Sequence, residues 1–222
     1  MMKPPVSETG RERESSDALA AARREEIVDA CAQLYEEMPF KDITILKIGE
    51  KTSFTRTSVY NYFRTKEEIF LALLEREYRT WTKELDALAE AQFAPKEFPA
   101  RFAQLLERRR CMLKLLSMNL YDMEAGSRME ELTAFKRTYG KSMQAVRRCL
   151  KAHTHATDEE AEEFLYALYP FLFGLYPYAE VTKKQKEAMA LAEVPYRRCT
   201  IAELARSLVE KLILPFAGSE DC

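Results

Sequence analysis

A chain of 222 residues, 47% apolar and 32% charged, is long enough for one large domain or two modest ones, with enough apolar mass for a proper core. Six glycines against abundant Leu, Ala, Glu, Lys and Arg predict an all-α fold and exclude collagen-like or low-complexity classes. A net charge of −2 offers nucleic acid no global attraction, so any such partner must be met by a local patch.

Residues 1–15 are polar and lack an apolar period, which predicts a disordered arm without a signal peptide. A helix is expected over about 16–37, where Ile27, Ala30, Cys31, Leu34 and Met38 recur on one face. Pro39 ends it. Thr44 is placed to cap a short helix through about Lys51, with Ile45 and Ile48 inward. Thr52 and Ser53 make a turn, and Thr55 caps the next helix. Phe54 and Val59 have hydrophobic-staple spacing, and Val59 and Phe63 share an inner face. Thr65 and Glu68 form a capping-box pattern that opens a long helix to about Ala91. Further helical patterns cover about 96–107, 111–119, 124–152, 158–178 and 201–216, with an irregular link at 180–198 and a helical piece near 184–192. Capping-box patterns at Thr157–Glu160 and Thr200–Glu203 open two of them. The domain boundaries expected are an arm at 1–15, a small helical domain at 16–68 and a larger helical domain at 69–222.

The segment 44–66, TILKIGEKTSFTRTSVYNYFRTK, carries the functional signal. It reads as a helix-turn-helix, whose second helix enters the DNA major groove. From Lys41 to Lys66 there are six basic residues against two acidic ones, a basic patch on a near-neutral protein. Arg56, Thr57, Tyr60, Asn61 and Arg64 fall within an arc of about 140° at 100° per residue. Arg suits guanine, Asn suits adenine, and Thr or an aromatic ring suits the thymine methyl. Thr44, Ser58, Tyr62 and Lys66 are suited to phosphates, with Thr55 at the helix start.

In order, Tyr60, Tyr62, Phe63, Lys66, Glu67 and Glu68 give a tyrosine-x-tyrosine-phenylalanine, lysine, acidic-pair pattern. The segment 40–66 with the residues that follow resembles the DNA-binding domain of TetR-family regulators. The likeness covers about residues 20–70. It implies that Arg56, Thr57 and Tyr60 read bases and that Thr44, Tyr62 and Lys66 hold phosphates. The turn departs from the family pattern in Thr52, Ser53, Phe54 and Thr55, as do Gly49 for an alanine and Thr57 for a glycine. A serine where the family has glycine predicts strain at Ser53 if the turn needs positive φ.

The resemblance further implies an N-terminal three-helix DNA-binding domain on a helical C-terminal domain that binds an effector and dimerises. The expected partners are double-stranded DNA, a small-molecule effector and a second copy of the chain. The apolar residues Phe102, Met112, Tyr121, Phe135, Tyr139, Met143, Phe164 and Phe171 are candidates to line a pocket for an apolar or aromatic ligand. The stripes Leu168, Leu172 and Leu175 with Gly174, and Leu204, Leu208 and Leu212, are candidates for the dimer interface. Pro170 suggests a kink.

The five cysteines form no CxxC pair, and only one of them, Cys149, lies near His153 and His155. No metal site, cofactor or nucleophile–base constellation is expected, hence no enzyme; the histidines sit near a helix end. Scattered thiols fit a reducing cytoplasm. The uncharged run 164–179, broken by Pro170 and Pro177, is shorter than the about 20 residues of a membrane span. The leading expectation is a ligand-released repressor on a palindromic operator. Two alternatives stay open: an architectural or division-control protein of the same fold without effector, and a helical enzyme or carrier with a vestigial DNA-binding end.

Overall fold

The computed structural model describes residues 8–118 and 120–215, with side chains from Ser16 onward, and among these the regular structure is helical throughout. Two compact units divide the chain: Met1–Leu73 with Met123–Glu131, and Leu74–Asp122 with Leu132–Cys222. No helix among the described residues is long and apolar enough to cross a membrane.

In the first unit, α1 spans Glu8–Glu37. It starts at Glu8 rather than Ser16, because extending a docked helix adds a hydrogen bond for each residue fixed, even without an apolar face. Residues 1–7 of the expected arm lie outside the described residues. Ile27, Val28, Ala30, Cys31, Leu34 and Tyr35 are buried along α1. After Pro39, a 3-10 turn at Phe40–Asp42 leads into α2, Ile45–Glu50. A second 3-10 segment, Arg56–Asn61, precedes α3, Lys66–Glu90. Ile43, Ile48, Val59, Phe63, Ile69 and Phe70 close the core. The Phe70 ring is met edge-on by Tyr35 at 5.3 Å and Phe40 at 4.7 Å.

The second unit takes the rest of α3, then α4 (Phe98–Arg108) and α5 (Arg110–Leu116). The helix α6 (Leu120–Ala125) follows, and the expected helix at 124–152 is α7, Met129–His153. The last elements are α8 (Asp158–Ala179), α9 (Lys183–Leu191) and α10 (Ile201–Ile213). In this unit α10 packs on α4 and α8, and α5 packs on α8. Capping boxes form at Thr157–Glu160 and Thr200–Glu203 as expected, and a third, Thr182–Gln185, opens α9. Around Trp81 the core is ring against ring: Tyr78, Phe102 and Tyr169 have centroids 6.2–6.4 Å away. His153, in the last turn of α7, stacks on Phe93 at 4.0 Å and hydrogen-bonds the Leu88 carbonyl at 2.8 Å through Nε2. It thus serves a carbonyl of α3 rather than those of its own helix. None of the four described cysteines is in a disulfide, and burial pushes the Cys149 thiol up to about 12.

Candidate nucleic-acid interface

The helix-turn-helix is assembled from both sides of its turn. Thr44 caps α2, its hydroxyl accepting from the Lys47 N–H at 3.3 Å. The Thr52 hydroxyl donates to the Gly49 carbonyl at 2.9 Å. Glu26, on α1, accepts from both the Ser53 N–H and the Ser53 hydroxyl. Among the described residues the one non-glycine with positive φ is Glu193, so the strain expected at Ser53 does not arise. Two side chains hold this turn where a glycine would have supplied backbone freedom. At Gly49 a Cβ would meet the Arg56 Cα at 3.0 Å. The missing side chain therefore lets α2 touch the backbone of the following segment.

That segment is a 3-10 turn, not the α-helix expected. Thr55 sits at its N-cap without capping a backbone N–H; its hydroxyl instead bonds those of Ser58 at 2.7 Å and Thr57 at 3.3 Å. Hydroxyl-rich and β-branched residues favour such local bonding over helix. The helical wheel at 100° per residue no longer applies, but its outcome does. Thr55, Arg56, Thr57, Tyr60, Asn61 and Arg64 are exposed, while Val59 and Phe63 are fully buried. Ser58, Tyr62 and Lys66 are half-buried. Phe54 packs its ring 6.3 Å from Tyr62, with Arg23 5.6 Å from the Phe54 centroid.

The basic patch is partly engaged. Arg56 pairs with Glu50 at 3.0 Å, and Lys51 with Glu37 at 3.0 Å. Such exposed pairs hold about 0–1 kcal/mol, so a phosphate or base edge can displace them. Lys66 differs from its expected role. Its ammonium lies 4.0 Å from the Phe40 ring centroid and donates to the carbonyls of Phe40 at 3.2 Å and Ile43 at 3.4 Å. In this geometry it braces the entry to α2.

Sequence reasoning missed three residues that hold this surface. Arg24 lies 4.2 Å from the Phe63 centroid, donates to the Tyr62 carbonyl at 3.3 Å and pairs with Glu131. Glu26 holds the turn, and Arg128 holds Glu68. The Glu68 carboxylate is fully buried and takes Arg128 Nε at 2.6 Å, Arg128 Nη2 at 3.0 Å and the N–H groups of Arg64 at 2.7 Å and Arg128 at 3.1 Å. Burial alone would raise its pKa. Arg128 and the two N–H groups outweigh that and hold the carboxyl below the ordinary carboxylate value. The expected Thr65–Glu68 box is therefore half-made: the Thr65 hydroxyl accepts from the Glu68 N–H at 3.2 Å, but the carboxylate is turned elsewhere.

The residues expected to line a ligand pocket belong mostly to the core of the second unit. Phe102, Met112, Phe135 and Phe164 are buried, and Tyr139, Met143 and Phe171 are half-buried. Tyr139 packs edge-on against Tyr169 at 5.1 Å. Tyr121 is 85% exposed. An aromatic at helical spacing serves packing as readily as binding. The expected dimer stripe on α8 is likewise corrected. Leu168, Leu172 and Leu175 are buried within their own protomer, because from Phe164 on α8 is apolar nearly all round and one stripe must face inward. Its outward face carries Tyr166, Pro170, Phe173 and Tyr178, all exposed, with Gly174 half-buried. Pro170 and Pro177 lie inside α8 on that exposed side, where the helix runs on through both. Leu204, Leu208 and Leu212 are half-buried on α10, adjoining its buried Ile201, Ala205 and Val209.

Comparison with known proteins agrees with this geometry. Residues 27–73 match the family described as bacterial regulatory proteins, tetR family, and residues 75–214 match the tetracyclin repressor-like C-terminal domain. Among solved structures, a TetR-family transcriptional regulator from Mesorhizobium loti MAFF303099 is similar, with a TM-score of 0.58 at 14% identity, over 90% of this chain and 98% of that one. A TetR transcriptional regulator from Rhodococcus sp. RHA1 gives 0.56 at 13% identity, over 87% and 97%. The fatty acid degradation regulator FadR from Bacillus halodurans gives 0.51 at 12% identity, over 89% and 96%. No curated protein sequence matches significantly.

Proposed function

The chain belongs to the TetR family of DNA-binding transcriptional regulators, and we propose that it is a homodimeric repressor released from a palindromic operator by a small ligand. The observation that carries the DNA-reading part is the exposed edge of Arg56, Thr57, Tyr60 and Asn61 on a turn braced from behind by Val59, Phe63 and Glu26. A rigid backing fixes the approach of side chains that can bond base edges in the major groove. Thr44, Thr55, Ser58 and Tyr62 supply hydroxyls for the flanking phosphates. The Thr44 oxygen already accepts a backbone N–H, which leaves its proton for a phosphate oxygen. Lys66 is assigned to the brace first; a phosphate contact by it requires exchange of its carbonyl partners.

Dimerisation uses the outward face of α8 with Leu204, Leu208 and Leu212 of α10. Two-fold symmetry then sets two reading edges against two half-sites, about one helical turn or roughly 34–36 Å apart. Ligand release is a population shift: only a ligand with different affinity for the bound and free states moves the equilibrium.

Selection of binding sites from random DNA at low salt, followed by footprinting, tests this. The expected product is a two-fold symmetric sequence. Arg56→Ala relaxes preference at one position per half-site by ~1–3 kcal/mol. Failure to enrich any sequence, or a preference unchanged by Arg56→Ala, overturns the assignment.

A further inference from the structure

Helices α3 and α7 border an open groove of about 570 Å³ in the second unit, within the size range of small-molecule sites. Thr82 and Asp86 line it from α3, and Arg137, Gly140, Lys141 and Arg148 from α7. Three of its features are not accounted for by the fold. Gly140 sits in the interior of a 25-residue helix, where only proline is less favourable than glycine. A Cβ there would meet nothing within 4 Å, so close packing does not require the glycine. Arg137 and Lys141 stand one helical turn apart, a repulsive spacing for like charges, and neither has an ion-pair partner among the described residues. The Thr82 hydroxyl oxygen is buried without a hydrogen-bond partner among those residues. The one acid of the groove, Asp86, is taken by Arg148 through Nε at 3.2 Å and Nη2 at 2.5 Å. Two positive charges remain over a floor of bare backbone.

We propose that this groove binds a small organic acid, with its carboxylate between Arg137 and Lys141 and its apolar body over Gly140. One bound anion relieves the repulsion between the two bases and accepts charge-assisted hydrogen bonds from both. The glycine leaves the space that the body of the ligand occupies, with the carbon stems of the two bases beside it. A neutral apolar molecule would leave the charges unanswered. The regulatory consequence rests on the ligand-release reading; the binding does not.

Benzoate and its neutral isostere benzamide are the probes, added at millimolar concentration to the full chain without DNA. Binding is followed by thermal shift and by the backbone amide resonance of residue 140. Benzoate should raise the melting temperature and move that resonance, and benzamide should do neither. Arg137→Gln with Lys141→Gln should weaken benzoate by about tenfold or more, the scale of one charge-assisted hydrogen bond. Gly140→Leu has room at its Cβ and points into the open groove, so it should fold with a raised melting temperature yet abolish the response. Equal response to both probes, no response to benzoate, or benzoate binding that survives Gly140→Leu overturns the proposal. DNA affinity is measured separately: benzoate bound in the groove with unchanged DNA affinity keeps the site and removes only the release reading.

Discussion

Glu68 shows what a single buried charge contributes to the reading surface. Its carboxylate holds Arg128 and the N–H of Arg64, just beyond the DNA-facing segment. Folding lowers its pKa from 4.5, so at acid pH the unfolded chain binds more protons than the folded one. The stabilisation is complete above the unfolded value and is lost as pH falls through the lower folded value. Glu68→Gln should cost about 3 kcal/mol near neutral pH, the low end for breaking a buried pair, because the Arg128 side chain is 31% exposed. Urea melts should show the gap to the native chain narrowing below about pH 4; a gap independent of pH would assign the loss to shape rather than charge. The sequence revealed neither Arg128 nor Glu26 in this role. Their partners lie far along the chain, and a long-range ion pair leaves no local period. The exposure of Arg56, Thr57, Tyr60 and Asn61 was legible because the apolar Val59 and Phe63 had to turn inward and leave the polar residues outside. Lys66 was visible as a cation, but the carbonyls it serves, Phe40 and Ile43, were not.

At the scale of elements, local chemistry was read well and backbone type less well. The capping boxes at Thr157 and Thr200 are set by side chains three residues apart, and both form. The segment Arg56–Asn61 was read as α-helix because its wheel was amphipathic, yet hydroxyl pairing leaves it a 3-10 turn. Gly49 then governs how near α2 comes to it. In Gly49→Ala the new methyl would lie 3.0 Å from the Arg56 Cα, and that neighbour is backbone. The shift should cost about 1–3 kcal/mol, offset by at most about 1 kcal/mol of helix propensity. A net loss of about 1 kcal/mol is expected, together with weaker DNA binding as Arg56 moves. Denaturant melts and binding to the selected site check both; a stabilised variant with native affinity would show that the close approach serves nothing.

At the scale of the molecule, the proposed dimer turns on which face of α8 would meet a second copy. Periodicity located one apolar stripe on this helix, Leu168, Leu172 and Leu175, but not whether it points inward, since from Phe164 on the helix is apolar nearly all round and carries no such mark. The structure places Leu168, Leu172 and Leu175 in the protomer's own core and leaves Tyr166 and Tyr178 70% and 76% exposed, with Phe173 between them. Large aromatics exposed on α8, together with the half-buried leucines of α10, fit an interface better than a solvated surface. The two faces of α8 therefore respond differently to substitution. Leu168→Ala removes core volume and should lower stability by about 2–5 kcal/mol, with the dimer intact until the protomer unfolds. Tyr166→Glu with Phe173→Glu places charge on the outer face, which is exposed in the protomer, and should give a folded monomer in analytical ultracentrifugation. A monomer grips one half-site, so its affinity for the symmetric operator should fall by about 10²–10⁴, the range that linking two binding events provides, while affinity for an isolated half-site stays unchanged. A variant that remains dimeric would place the interface on another face, and one that loses half-site binding as well would show that dimerisation shapes the reading surface itself.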